Sequence, residues 1–346
     1  MFLALPFFIT LCLTLLLVPI SRNIGLSLRF FDIPNSRKIN DFPVVRIGGL
    51  AMFLSFFIGS GSIIFFGNFD LINIDLNYLF KLICFSLFFF ILGFTDDVYS
   101  LSPVVRLIIQ FLLAFLFIYT TIDISQIYIF NIDISEKLFS INPPFQFIFL
   151  MIWLVGITNA INWIDGLDGL ASGCAGIIAF TFTLISLSNG QNEAALIGIC
   201  LTATCLAFLR YNLLSGDIFM GDGGSYYLGF TIAYLSIISS QLTYRGITLN
   251  LPLIVLSYPI LDMLFVIINR LRKKTSIIYP DSNHLHHRIL RSGFNKTKTV
   301  LILYSLTLFT SIIAINYINQ FKIINGLLFI FPFLILFYFL INKIKR

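Results

Sequence analysis

Apolar runs of membrane-spanning length dominate this 346-residue chain. About 20 apolar residues cover the hydrocarbon core of a bilayer, and about eleven stretches meet that requirement. They are residues 2–20, 47–66, 78–94, 103–122, 145–161, 169–187, 194–213, 226–242, 249–269, 299–318 and 325–342. In lipid the backbone must satisfy its own polar groups, so only helices and closed barrels span. A barrel would show short alternating segments, and these runs are long and continuous. The expectation is an all-α, polytopic membrane protein. No composition shift, repeat or low-complexity linker interrupts the series, so residues 1–346 read as one membrane domain. The first run has no basic n-region and no small-residue cleavage site, and it reads as a retained span.

Composition removes other classes. At 58% hydrophobic and 11% charged the chain lies outside the soluble range. The net charge of +6 does not indicate nucleic-acid binding, because Lys and Arg of membrane proteins mostly record topology. The five cysteines all lie in apolar stretches without a C-x-x-C pair, which argues against disulfides and thiolate metal sites. The forty Phe residues suit lipid-facing surface, and a polyisoprenoid groove would be equally rich in them. Eighteen of the 22 Lys and Arg fall on one side of the bilayer when loops are alternated. That side is expected to be cytoplasmic, with the N-terminus periplasmic or extracellular and the C-terminus cytoplasmic.

Four polar segments stand out, at 93–97, 159–169, 219–225 and 280–288. The alternation of spans puts all four on the cytoplasmic side. Ionisable groups beside lipid are costly and default to function. Asp96 and Asp97 end the third span. They could simply favour a nearby helix N-terminus, or supply oxygen to Mg²⁺, one binding metal while the other orients substrate. Asn162, Asp165 and Asp168 recur every three residues, so a helical turn would gather them on one side. Gly221-Asp222-Gly223-Gly224-Ser225 reads as a tight turn whose free amides suit phosphate oxygens. His284, His286 and His287 are the only histidines. They could bind a transition metal, although donation to a diphosphate or sugar, or proton transfer, fits better without cysteine or a fourth ligand. Asp262 lies inside the ninth span and needs a partner there, with Arg270 close to helical register. Lys38, Arg46 and Arg106 are either topology signals or captors of an anionic head group.

Taken in order, these segments resemble the polyprenyl-phosphate N-acetylhexosamine-1-phosphate transferase family, glycosyltransferase family 4. The resemblance rests on Asp32-Ile33-Pro34-Asn35-Ser36-Arg37-Lys38 with Arg46-Ile47-Gly48-Gly49, on Asp96-Asp97, and on the N-A-x-N-x-x-D-G-x-D-G-L-A signature beginning at Asn159. It continues through Met220-Gly221-Asp222 with Gly224-Ser225, and through Pro280-Asp281 with His284-Leu285-His286-His287-Arg288. The last motif is similar to the H-x-H-H of the GlcNAc-1-phosphate branch. The P-L-H-H-H run of the phospho-MurNAc-pentapeptide branch is absent. Asn40 and Val44-Val45 depart from the family pattern in the first loop.

The resemblance implies transfer of a sugar-1-phosphate, GlcNAc-1-phosphate first, from a UDP-sugar to undecaprenyl phosphate with release of UMP. The product would be the first lipid-linked intermediate of an envelope polysaccharide, such as O-antigen, lipopolysaccharide, common antigen or teichoic acid. UDP-QuiNAc, UDP-FucNAc, UDP-GalNAc and UDP-MurNAc-pentapeptide are alternative donors. The resemblance also implies Mg²⁺, or Mn²⁺ in its place, and a cytoplasmic site in a bacterial inner membrane. Asp97 and Asp222 are then the expected metal ligands. Asp96, Asp97, Asp165, Asp168 and Asp222 form the expected catalytic set, and Asn162, His284, His286, His287, Arg288, Lys38, Arg46 and Arg106 the substrate-binding set. Expected partners are the donor, the lipid acceptor and the bilayer, with a second copy of the chain a further candidate and no nucleic acid. A secondary transporter is the alternative from another class, but transporters favour internal repeats and midplane sites, and here the candidate acids other than Asp262 gather at one surface.

Overall fold

A computed structural model describes residues 3–32, 43–63, 76–121, 127–128, 143–213, 216–242, 246–276 and 283–318. Its helices are α1 (Ala4–Ser27), α2 (Gly48–Gly61), α3 (Leu76–Tyr99), α4 (Pro103–Thr121), α5 (Pro143–Ile164) and α6 (Leu170–Ser188). There follow α7 (Asn192–Asn212), α8 (Gly221–Ser239), α9 (Asn250–Val255), α10 (Ser257–Arg272), α11 (Leu285–Arg291) and α12 (Lys296–Ile318). Seven of these, α1, α3, α4, α5, α6, α7 and α12, are long and apolar enough to cross a membrane. The protein is an all-α, multi-pass membrane protein.

The remaining expected spans differ for physical reasons. The second is the 14-residue α2. The eighth is α8, which begins at Gly221 and so carries Asp222 in its first turn. Its residues are almost all buried, and it packs on α2, α3, α5, α6 and α7. A helix enclosed by protein has no need of a lipid-facing apolar surface, and close approach favours small and polar residues. Accordingly Trp153 Nε1 donates to Ser236 Oγ at 3.0 Å, and Ser86 and Thr231 share a hydroxyl bond of 3.1 Å. The ninth expected span is split at Leu256 into α9 and α10, with Pro259 in the first turn of α10, where proline is tolerated. The eleventh lies outside the described residues.

Short strands complete the chain. β1 (Phe31–Asp32) pairs antiparallel with β2 (Val44–Val45), so the departure at Val44-Val45 is a strand. Strands β3 (Ile127–Tyr128), β4 (Gln241–Leu242) and β5 (Gly246–Thr248) form a second sheet in the order β3-β5-β4. β2 also docks on the segment before α8. Phe219 N–H donates to Val45 O at 2.8 Å, Gly48 N–H to Phe219 O at 2.9 Å, and Gly49 N–H to Met220 O at 2.9 Å. This main-chain latch fixes Arg46 beside the start of α8.

Candidate active site

Arg46 is the hub of the polar cluster. Its Nε lies 3.0 Å from Asp97 Oδ1, its Nη2 2.9 Å from Asp222 Oδ1, and its Nη1 3.5 Å from Asp32 Oδ1. The planar fork of a guanidinium suits several carboxylates at once. Burial works against its charge, but Asp222, Asp97, Asp32 and Asp165 outweigh that and raise its pKa above the ordinary value. Asp32 was expected only as part of a motif, and Lys38 and Asn40 lie outside the described residues.

Asp96 and Asp97 sit within the last turns of α3, because that helix continues to Tyr99, past the expected end of the span at 94. The neighbouring carboxylates diverge to different arginines. Asp96 is ion-paired with Arg106 of α4, and Asp97 with Arg46. Asp97 Oδ1 also accepts the Asp222 N–H at 3.0 Å, and Oδ2 the Gly223 N–H at 3.2 Å. The amides expected to be free for phosphate are therefore taken by a carboxylate from another helix, as the positive end of α8 favours. Gly221 makes the approach possible: its φ is +72°, and a Cβ there would sit 2.5 Å from Asp97 Oδ2. On the other side Asn162 Nδ2 donates to Asp222 Oδ1 at 2.9 Å and to Ser225 Oγ at 2.8 Å.

The expected helical turn through Asn162, Asp165 and Asp168 forms only in part. Helix α5 ends at Ile164, so Asn162 is helical while Asp165 and Asp168 lie in the turn that follows. Two side chains, Asn212 and Tyr304, hold that turn through three hydrogen bonds. Gly169 N–H donates to Asn212 Oδ1 at 2.7 Å, Asn212 Nδ2 donates to Ile218 O at 2.9 Å, and Tyr304 Oη donates to Gly169 O at 2.5 Å. Asn212 and Tyr304 belong to no motif, so pattern reading missed them. The turn faces a cavity of about 250 Å³ shared by Asp32, Arg46, Asn162, Asp165, Asp168, Asp222, His287 and Lys296, among others. Asp96 and Asp97 stand behind this wall. A second cavity of about 360 Å³ adjoins it through Asp168, Phe219 and Lys296. Burial, with Asp222 nearby, pushes the Asp165 carboxyl up to about 7 against the pull of Arg46. Burial also raises Asp168, opposed by Lys296.

The three histidines separate. Only His287 lines the cavity. His286 is buried beneath the turn, where any Cβ on Gly166 would collide with its ring. Neither of its ring nitrogens has a hydrogen-bond partner among the described residues, and burial beside His287 and His284 holds its pKa well below the usual value. His284 Nδ1 lies 2.8 Å from Asp262 Oδ2, and the Leu285 N–H donates to Asp262 Oδ1 at 2.6 Å. Asp262, 1% exposed, is therefore paired with the start of α11, correcting the expected Arg270. The Arg270 guanidinium instead lies over the Trp163 ring, 5.2 Å from its centre. Arg288 packs over Phe265 at 4.4 Å and does not border the cavity.

Among the described residues no three His, Cys, Asp or Glu side chains could hold a metal alone. Mg²⁺ seldom needs such a cage: one or two carboxylates, water and substrate phosphates serve. The donors fit that mode. Asp222 borders the cavity and is 21% exposed, Asp97 lies behind it at 1%, and a cationic group already bridges the two.

Helices enclosing a cavity lined by four carboxylates, Arg46 and Lys296 define a multi-pass membrane protein with a polar site where its helices end. Comparison with known sequences agrees. Residues 79–240 match the sequence model described as Glycosyl transferase family 4. A Bacillus subtilis (strain 168) protein, "Probable undecaprenyl-phosphate N-acetylglucosaminyl 1-phosphate transferase", is 32% identical over 89% of this chain and 83% of its own length. A Thermotoga maritima undecaprenyl-phosphate alpha-N-acetylglucosaminyl 1-phosphate transferase is 31% identical over 83% of this chain and 81% of its own. The Mycobacterium tuberculosis decaprenyl-phosphate N-acetylglucosaminephosphotransferase is 28% identical over 78% and 71%. The chain belongs to glycosyltransferase family 4.

Proposed function

We propose that this protein transfers GlcNAc-1-phosphate from UDP-GlcNAc to undecaprenyl phosphate. An oxygen of the lipid phosphate attacks the sugar-bearing phosphorus of the donor, the bond to the bridging oxygen breaks, and UMP leaves. The single observation that carries the reading is the meeting of Arg46, Asp222, Asn162, Asp165 and Asp168 around one cavity. Donor and acceptor are both polyanions, so the site must offset their repulsion while aligning them. Arg46, Lys296 and His287 supply donors along the cavity wall. Asn162 orients the Asp222 carboxylate, and Asp96 with Arg106 supports it from behind.

The proposal includes Mg²⁺, or Mn²⁺, held by Asp222 with Asp97; when bound it neutralises charge on the donor diphosphate. Asp97 is poorly suited to be a covalent nucleophile, since its oxygens accept from two amides and Arg46. Direct attack by the acceptor is the simpler route. The site is assigned to the cytoplasmic face of a bacterial inner membrane, on the distribution of Lys and Arg. The product would begin a lipid-linked envelope polysaccharide.

The test is purified protein in detergent with a panel of UDP-sugars and undecaprenyl phosphate, read as UMP and as lipid-linked product. UDP-GlcNAc is expected to be the best donor. Turnover that persists without divalent cation, or in Asp222→Asn and Asp97→Asn alike, would end the assignment.

A further inference from the structure

We infer that Arg46 is an internal stand-in for the divalent cation: it holds Asp97 and Asp222 together in the metal-free protein and gives them up when metal binds. The inference rests on the proposed function for the identity of the metal site, and it adds how that site is kept and opened.

The geometry is the warrant. Two nitrogens of one guanidinium lie 3.0 Å from Asp97 Oδ1 and 2.9 Å from Asp222 Oδ1. A cation held by these two carboxylates would compete with the guanidinium for their oxygens. Four carboxylates, Asp32, Asp97, Asp165 and Asp222, act on Arg46. Left without a positive charge, so many buried acids would repel one another and force the site apart or into protonation. The backbone of Arg46 cannot leave, because β2 and the start of α2 are latched to residues 219 and 220. Its side chain is 29% exposed and borders the cavity, so the guanidinium can swing while the backbone stays. Asp32, 3.5 Å from Nη1, lies on the cavity side of that swing. A guanidinium displaced there faces the space where a substrate phosphate would lie, and planar forks bind phosphate well.

The consequence is coupling. Metal alone must compete with Arg46. Metal that arrives with a phosphate gives the guanidinium a new partner and meets less competition.

The experiment measures Mn²⁺ binding without substrate, by electron paramagnetic resonance and by metal-induced shift in melting temperature. It compares wild type, Arg46→Gln and Arg46→Lys. Arg46→Gln is expected to bind Mn²⁺ about tenfold tighter than wild type and to gain more melting temperature from it, with Arg46→Lys in between. If Arg46→Gln folds poorly without metal, Arg46→Lys carries the comparison, since it keeps the charge but cannot bridge three carboxylates. Equal or weaker Mn²⁺ binding in both variants overturns the inference. At saturating metal, Arg46→Lys should raise KM for one phosphate substrate, and the one affected, donor or acceptor, identifies the captured phosphate. Unchanged KM for both overturns the capture step. Wild-type transfer is assayed in parallel: its absence sinks the proposed function, whereas normal transfer with unaltered metal affinity sinks only this inference.

Discussion

The carboxylate cluster and the histidine helix were equally prominent in the sequence, yet they are built differently. Around Asp222 every contact converges. Asp97 comes from α3, Arg46 from the β2–α2 junction and Asn162 from α5, and each touches Asp222 or its amide. In α11 the contacts diverge: His284 is committed to Asp262, His286 is sealed under the turn and His287 alone reaches the cavity. Convergence marks residues that act on one object. Divergence marks a motif with one residue facing the cavity and two held in the scaffold.

The strongest way to break that contrast is Asp222→Asn. It keeps the shape and one acceptor oxygen but removes the charge that Arg46 and a divalent cation both need. We expect transfer to fall by roughly two to three orders of magnitude, on the scale of losing one preorganised electrostatic partner. Asp97→Asn should cost comparable activity, and in addition stability. It leaves Arg46 short of a buried partner and weakens the cap on α8, with breakage of a buried pair costing about 3–5 kcal/mol. Activity and thermal unfolding measured together separate the two. If Asp97→Asn unfolds normally and Asp222→Asn unfolds early, the assignment of roles is reversed.

The second prediction concerns His287→Ala. A side chain lining the cavity without being the centre of charge should cost about 10- to 100-fold in kcat/KM, mainly through KM for the donor. Loss of kcat with KM unchanged would place His287 in the chemical step instead.

How much of this the sequence carried depends on distance along the chain and on what kind of contact is made. Spans were legible because lipid imposes one rule on every residue. The segments bearing Asp165, Asp168 and Asp222 were legible because each packs several polar residues into a few positions. Partnerships across helices were not. That Asp97 would occupy the amides of Asp222 and Gly223 depends on how α3 docks on α8, which no local pattern encodes. Asn212 and Tyr304 pin the turn after α5, yet neither belongs to a motif that sets it apart from the other polar residues of its helix. Asp262 seemed to need a cation on its own helix, and instead it pairs with His284 and accepts the Leu285 amide at the start of α11.

The third prediction uses Asp165, whose folded pKa is raised to about 7. For a carboxylate raised in this way, its contribution to stability is full below the unfolded value, about 3.9, and is lost as pH rises through about 7. Metal-free protein should therefore lose stability as pH rises from about 4 to about 7, by at most about 1.4 kcal/mol per pH unit, and level off above that. A cation in the cluster favours the ionised form, so metal binding should release a proton below pH 7. Mn²⁺ affinity is expected to rise by up to about tenfold per unit from pH 6 and level off above 7, and in Asp165→Asn the dependence should flatten. A wild-type affinity independent of pH across this range would place Asp165 outside the charge balance of the site.

The smallest expected effect is at His286, and it tests the contrast most sharply because the sequence ranks it with His287. A neutral imidazole whose nitrogens meet no partner among the described residues gains nothing from being polar. Its ring fills the space under Gly166 that any side chain there would invade. Replacing such a group with an apolar one of similar volume costs under about 1.5 kcal/mol when packing is kept. His286→Leu should therefore retain transfer within about threefold of wild type, a change below about 1 kcal/mol. Gly166→Ala, which pushes the turn against the same ring, should do more damage despite adding a single methyl group. Its cost should appear in kcat, since Asp165 and Asp168 move with the turn. The order can be inverted only if the imidazole leaves its pocket during turnover. An inactive His286→Leu that folds normally would show that it does, and would return the buried histidine to the substrate.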